Sequence, residues 1–539
     1  MKRRSRPARP SAGIFRSLDH RNYRLYFWGG SVSNVGVWMQ RTAQTWVVVQ
    51  LSGGNGAALG FVTFLQFAPT VFISLYAGVL GDRLDKVRLL AWTQTALGVI
   101  GLVMGALDGA GHLMLWRVYL LAALLGVVTA FDVPTRQSFV SELVGTDNVG
   151  NAVGLNAASF NAARLIGPAA AGLAIAAWGT APVFLANALC AVAIVTSLLR
   201  IDRSDLHRPP LLARSPGQMR QGLQQALGVP RLAVLILLAS VVSAFGLNSL
   251  QVLLPLVVTD VFGKGALEFG LLTSALAVGS LAGALLSSRR LGVPSQRDII
   301  VFVVAFGLLE IGAAAVPTYL GFAIALIPVG LMFMAFVIAV NTRVQLSARP
   351  DARSRVMAVY MMFFLGGGAI GSPLIGSAAN TVGPVATIGG CGAVVVIAGV
   401  VAGAVLRRIA RSCPSGTVNR VGVEPAKLES PSTSVQVSGR AVIGLPGVTL
   451  RNPDGAPASS RSAMLSDSRR LANGEADEPA DPSSAPMALA YGDVAIRQHA
   501  NAVVDAGSPL PTTVMSFRAL RQRTASEGTN IDDRQHHHG

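Results

Sequence analysis

Long apolar runs separated by short polar stretches fill the first 412 residues. Ala96 to Leu107, Val118 to Ala130 and Val394 to Leu406 are examples. Each extends into a span of about 20 residues that admits only small polar groups, the length needed to cross a bilayer as a helix. The pattern predicts about twelve helices, at 23–51, 57–80, 89–108, 115–137, 151–176, 181–200, 231–259, 267–288, 298–317, 320–342, 355–379 and 384–406. Trp28, Trp46, Trp92, Trp116 and Trp178 fall near predicted ends, where amphipathic rings anchor at the membrane interface. The chain is therefore expected to be an all-α polytopic membrane protein.

Six spans precede and six follow a polar linker, 201–230, that contains Pro209, Pro210 and Pro216. The end of this linker, Met219 to Leu227, has the spacing of a short amphipathic helix at the membrane surface. An offset of about 204 to 207 residues places Arg24-Leu25 on Arg231-Leu232, Ser33 on Ser240, Ala77-Gly78 on Ala282-Gly283 and Thr135-Arg136 on Thr342-Arg343. Parallel duplication of a six-helix half is a transporter architecture with its solute site near the midplane between the halves. The expected organisation is a basic N-terminus (1–22), a six-helix bundle (23–200), the linker (201–230), a second bundle (231–412) and a tail (413–539). The tail is rich in Ser, Pro, Ala and Gly without apolar periodicity, so it is expected to be disordered. His536, His537 and His538 at its end read as an incidental run or tag remnant rather than a metal site.

Composition agrees with the pattern: of 539 residues, 51% are hydrophobic and only 13% charged. The net charge of +17 invites a nucleic-acid reading, which its distribution removes. Residues 1–412 carry 32 of the 44 Lys and Arg and 14 of the 27 Asp and Glu, and the cations cluster in alternate loops. Arg3, Arg4 and Arg21 precede the first span, Arg83, Lys86 and Arg88 follow the second, and Arg407, Arg408 and Arg411 follow the last. The intervening loops near Ser52, Gly111, Gly179, Tyr319 and Val382 are nearly free of them. By the positive-inside rule both termini and the linker face the cytoplasm. The basic N-terminus reads as the flank of an uncleaved first helix. Cys190, Cys391 and Cys413 are too few and too scattered for a disulfide framework or a metal cluster. No Walker-type lysine loop and no nucleophile–histidine–acid set is readable, so neither ATP drive nor enzymatic activity is expected, and no cofactor.

The sharpest local pattern is Gly78-Val-Leu-Gly81-Asp82-Arg83-Leu-Asp85-Lys86-Val-Arg88 at the end of the second helix. It resembles the signature loop of the major facilitator superfamily, with Asp85 where that motif has its second glycine. Val35 to Gln44, Ala130 to Gln137, and Asn151 to Asn156 with Asn161, Arg164 and Gly167-Pro168 are similar to a bacterial exporter branch that includes the enterobactin exporter. The resemblance covers residues 15 to 410. It implies the major facilitator fold and proton-driven efflux of siderophores or drugs. It also implies a cytoplasmic gate built on Gly78, Asp82, Arg83, Lys86 and Arg88. Asp132 and Arg136 stand one helical turn apart and can pair locally; alternatively Asp132 reaches Arg83 or Lys86, the arrangement the resemblance favours as part of the gate. Gly167-Pro168 and Gly172 partly resemble the antiporter glycine–proline motif, and Pro168 predicts a kink or a packing notch.

Ionisable groups at membrane depth cost at least a few kcal/mol unless paired or wet. Arg164 lies about 21 Å along its helix from Gly150, near mid-bilayer, with Asn161 on the same face. Arg41 falls in the far half of the first helix, and its repeat partner is Asn248. Both arginines are either buried in ion pairs or snorkelling to the interface, or engaged in binding or gating; unpaired in a cavity, they favour an anionic or carbonyl-rich solute. Gln44, Asn156 and Gln251 complete the candidate cavity set. Glu310, about 18 Å along its helix from Asp298, is a candidate proton carrier, as is Asp132; the alternative for Glu310 is a hydrogen bond to a neighbour.

The sequence therefore predicts a secondary active transporter of a bacterial inner membrane. Its expected partners are the lipid bilayer, protons and a small-molecule substrate; no nucleic acid and no obligate protein partner is readable. Proton-coupled export of a siderophore or drug-like metabolite by alternating access is the leading expectation. An uptake carrier or lipid flippase of the same fold, or a membrane sensor or scaffold using the tail, stand as alternatives.

Overall fold

Each apolar run becomes a helix because a chain in hydrocarbon must satisfy its own backbone amides and carbonyls. The computed structural model describes residues 13, 15–207, 218–289, 292–349 and 352–412. The side chains of 74–83 and 218–222 lie outside the described residues, as does the whole tail from 413. Among the described residues there is no strand.

The first three spans are Arg21–Ser52, Gly56–Arg83 and Lys86–Gly109. The fourth and fifth form one continuous stretch, Leu115–Trp178, of 64 residues. At 1.5 Å per residue this is roughly three hydrocarbon thicknesses, far more than one crossing requires. Gly145, at φ 68°, divides it into 115–144 and 146–178. The sixth span is Ala181–Leu199, and the seventh is Pro230–Val261. The eighth to twelfth are Ala266–Ser288, Gln296–Ala314, Tyr319–Ser347, Arg353–Val382 and Pro384–Ser412. Arg21–Ser52 and Gln296–Ala314 are the two that do not meet a strict apolarity criterion. They carry Arg41 and Glu310, so they are polar where the candidate chemistry lies.

Two boundaries differ from the sequence expectation. The polar stretch 138–150 is not a loop; the fourth span runs on to 144 and the fifth starts at 146, because a helix can continue past the hydrocarbon as long as its polar side chains find water. Gly145 alone makes the break. A β-carbon there would meet the His207 ring at 3.3 Å. The His207 amide donates to the Glu142 carbonyl at 2.8 Å, satisfying a carbonyl left over at the helix end. The linker is thus tied to the first half, and Asn22 and Asp202 reinforce it with two hydrogen bonds, of 2.8 and 3.0 Å. The second difference lies in the seventh span, where π-helical turns at Val242–Leu247 and Val257–Val261 flank the α segment Asn248–Leu256. Such turns, rare and often found at functional sites, insert a residue and rotate the helix beyond them. The amphipathic helix in the linker is present as Gln218–Gly228.

The two halves meet along two seams related by the internal repeat: the second span against the eleventh, and the fifth against the eighth. Both are made by small residues that let backbones touch. A β-carbon on Gly172 would sit 2.7 Å from the Ala266 carbonyl oxygen, and one on Gly60 would strike the Ser372 carbonyl. The contacts concentrate at the end of the bundle remote from the termini. There the Gly56 amide donates to Asn380 Oδ1 at 2.7 Å and Asn380 Nδ2 to Asn55 Oδ1 at 2.9 Å, while nearer the middle Ser274 Oγ donates to the Leu165 carbonyl at 2.8 Å.

Candidate functional site

Between the seams lies a cavity of about 90 Å³ with walls from both halves. The first span supplies Trp38, Arg41, Thr42 and Thr45; the second Thr63 and Gln66; the fifth Arg164; the seventh Gln251; the eighth Phe269 and Thr273. Trp38 organises the polar side. The Arg41 guanidinium carbon lies 5.3 Å and that of Arg164 5.8 Å from the Trp38 ring centre, within cation–π range. Phe160 meets the same indole edge-on at 5.7 Å. Gly167 makes room for it, since a β-carbon at that position would lie 2.6 Å from Trp38 Cβ. The glycine–proline pair makes a packing notch: the Pro168 carbonyl abuts Gly270 of the eighth span.

Among the described residues, neither Arg41 nor Arg164 has a carboxylate within ion-pair distance. Arg41 Nε and Trp38 Nε1 are buried without a hydrogen-bond partner. Thr42, Thr45 and Thr63 donate to carbonyls of their own helices at 3.1, 3.0 and 2.9 Å, and their oxygens accept from neither of these two donors.

Of the seven residues expected to line a cavity, the structure brings together Arg41, Arg164 and Gln251. Asn156 instead accepts from the Tyr23 hydroxyl at 3.3 Å, and Asn161 donates to the Ala157 carbonyl at 2.8 Å. Gln44 is fully buried elsewhere, with neither amide atom bonded. Asn248 donates to the Ser243 carbonyl at 2.8 Å and packs against Gly368 of the eleventh span. The π turn just before Asn248 explains why it does not match Arg41: the extra residue breaks the angular correspondence between the repeats. Trp38 is a lining residue that the sequence reading missed. Trp38 lies one turn before Arg41, which is the spacing that puts both on one face.

A second group sits behind the cavity wall. Glu310 of the ninth span is 0% exposed and hydrogen-bonds to Ser249, in the α segment of the seventh span that also carries Gln251. Glu310 Oε2 has no partner. The Ser249 hydroxyl also lies 2.6 Å from the Gly246 carbonyl in the π turn. Two acceptors thus face a single hydroxyl proton, and both contacts are satisfied when Glu310 is protonated and donates to Ser249 Oγ.

At the end of the bundle that carries the termini, Asp132 is saturated from its own half. Its Oδ1 accepts from Thr93 at 2.8 Å and Gln94 at 2.7 Å, and its Oδ2 from Arg136 Nε at 3.2 Å. Gln94 in turn accepts from Ser33 at 3.0 Å, so one carboxylate ties the first, third and fourth spans together. The local pairing with Arg136 is the one present. Lys86 is engaged elsewhere, 2.7 Å from Glu142, with both side chains about nine-tenths buried. Glu142 carries no mark in the sequence because its polar surroundings predict a loop. Asp85 is the N-cap of the third span at φ −64°, accepting from the Arg88 amide at 3.0 Å. That φ suits any residue, so the turn needs no glycine there. The Arg88 side chain is exposed. Gly78, Asp82 and Arg83 lie outside the residues whose side chains are described.

The profile of a family described as transmembrane secretion effector matches residues 12–424. The staphyloferrin A transporter of Staphylococcus aureus is 29% identical over 167 residues, covering 31% of this chain and 42% of that protein. The enterobactin exporter of Shigella flexneri is 26% identical over 358 residues, covering 65% of this chain and 84% of that one. Among solved structures, a bacterial homologue of the human lysosomal transporter Spinster superposes with a TM-score of 0.57 at 14% identity. That match covers 73% of this chain and 99% of the Spinster homologue.

Proposed function

This chain belongs to the transmembrane secretion effector family of major facilitator transporters, and from that premise we propose that it exports a small molecule across the bacterial inner membrane in exchange for protons. The observation that carries the proposal is the cavity, which takes walls from both halves and lies beside the two glycine seams on which those halves can turn. In the conformation described, the bonds between halves gather at the end remote from the termini, from Asn55 and Gly56 to Asn380, and Trp46 stacks on Phe269 at 6.0 Å. With the termini cytoplasmic, as the distribution of arginines argues, this is the conformation that loads solute from the cytoplasm.

Export then proceeds by alternating access. Solute occupies the Trp38–Arg41–Arg164 cavity, the far-end contacts part, and the end carrying the termini closes. Asp82 and Arg83 serve the closed state there together with Lys86 and its partner Glu142, while Asp132 and Arg136 hold the first, third and fourth spans as one body. Glu310 is the coupling acid. It hydrogen-bonds to the seventh-span segment that contributes Gln251 to the cavity, so gain or loss of its proton changes the hold on that wall. Siderophores and drug-like amphipathic metabolites are the proposed cargo, in keeping with the named relatives.

Energised inside-out membrane vesicles containing the protein test this directly. A pH-sensitive dye should report substrate-dependent proton release when catechol siderophores, macrolides or cationic dyes are added in turn. Silence across the panel with correctly inserted protein refutes the antiport reading and moves the weight to uptake or lipid movement.

A further inference from the structure

The cavity is one-sided in its charge. Its buried, unpartnered polar atoms are Trp38 Nε1 and Arg41 Nε, both donors, and the Arg164 guanidinium adds further donors from the fifth span. Arginine and the indole nitrogen cannot accept a hydrogen bond in return. Among the described residues no carboxylate lines the cavity, and its remaining polar groups, the threonine hydroxyls and the Gln66 and Gln251 amides, are neutral. A buried cation without a counter-charge is unfavourable, and here two of them flank one indole. Only a ligand that brings negative charge and acceptor oxygens relieves both the repulsion and the unmade bonds. The opposite wall is apolar, with Phe67, Leu250, Phe269 and Leu276. At about 90 Å³ the space suits a head group rather than a whole siderophore.

We propose that the Trp38–Arg41–Arg164 cavity is an acid-selective subsite that takes the ionised carboxylate or phenolate head group of an aromatic or aliphatic solute. The guanidiniums of the first and fifth spans hold the charge, the Trp38 N–H donates a further bond, and Phe269 covers the apolar side. The inference rests on the transport reading for its physiological meaning but makes a separate claim: neutral and cationic solutes are discriminated against.

The test uses the purified full chain in nanodiscs of phosphatidylcholine and two nearly isosteric probes, 2,3-dihydroxybenzoate and 2,3-dihydroxybenzamide. Calorimetric titration should show the acid binding at least tenfold more tightly than the amide. Arg41→Gln and Arg164→Gln should each bring acid binding down to the amide level while amide binding stays unchanged, which also certifies that the fold survives. Arg164→Lys should recover part of the discrimination. Equal binding of the two probes to the wild-type chain, or acid binding unaffected by both glutamine variants, overturns the proposal. Replacing the nanodisc lipid with phosphatidylglycerol should leave acid binding intact; competition by the lipid would reassign the subsite to phospholipid head groups and overturn its assignment to a soluble solute. Flux into proteoliposomes separates the two readings. Acid that binds but does not move sinks export and leaves the subsite standing. An amide or a cationic dye that moves while the acid neither binds nor moves sinks the subsite and leaves export standing.

Discussion

Asp132→Ala strips one carboxylate from a junction of three spans, and its cost can be worked from the contacts. The change leaves the Arg136 side chain, 26% exposed, without its counter-ion and deprives Thr93 and Gln94 of an acceptor. Removing one member of a buried ion pair typically costs about 3–5 kcal/mol. Partial solvation of Arg136 favours the lower end, about 3 kcal/mol, since exposed ion pairs count for little. With roughly 2–4 °C of midpoint shift per kcal/mol for a unit of about 200 residues, the variant should melt about 6–12 °C below wild type. Removing both charges, as Asp132→Ala with Arg136→Met, should restore more than half of the loss, because no unpaired charge is then left. Size-exclusion chromatography after stepwise heating, detected by intrinsic fluorescence, reads both variants. A single-variant shift below about 3 °C, or a double variant no more stable than the single one, refutes the claim that Asp132 is a structural tie.

The geometry sets three further outcomes. Glu142→Gln should destabilise the chain by about 2–3 kcal/mol by leaving Lys86 buried without its partner, and a double-mutant cycle with Lys86→Met should return a coupling above about 1 kcal/mol; a coupling near zero makes the pair incidental. Glu310→Gln should abolish substrate-dependent proton release and remove the pH dependence of transport while leaving binding of the acid probe within about twofold, and normal proton release from this variant would place the coupling acid elsewhere. Gly145→Ala forces a non-glycine residue into a region populated essentially by glycine alone, at a cost of about 1–3 kcal/mol, and brings a β-carbon to 3.3 Å from His207; the linker after 200 should become more sensitive to protease, and unchanged cleavage contradicts the stapling role of His207.

The number of crossings was legible because hydrocarbon demands length and apolarity, and both are written locally. The helix from 138 to 144 was not, because its polarity resembles that of a loop when it marks only departure from lipid. The cavity was half legible for a related reason. Arg41 and Arg164 announce themselves by charge at depth, whereas Gln44 and Gln251 look alike in one dimension. In a span with polar residues on several sides, the side that faces the partner half is not marked out, so Gln44 was misplaced. Asn248 shows a different obstacle. Repeat arithmetic assigned it to the cavity, but the π turn at 242–247 rotated it into the eleventh span. For Asp132 the resemblance favoured a reach to Arg83 or Lys86, whereas it pairs with Arg136 one turn away and Lys86 pairs with Glu142; Thr93 and Gln94 come from another helix and could not be read from spacing.

The glycines at the seams bear on the energetics of motion as well as on packing. Where larger side chains interlock, two helices that turn against each other must climb out of one set of grooves and drop into the next, so movement goes in steps. At Gly56 against Gly376 and Gly172 against Gly270, backbone faces backbone and there are no teeth to disengage. Such contacts act as plain bearings, on which the angle between the halves can change gradually. The barriers that make the cycle two-position rather than continuous must then come from polar latches between the halves, such as the bonds from Asn55 and Gly56 to Asn380, which are either made or broken.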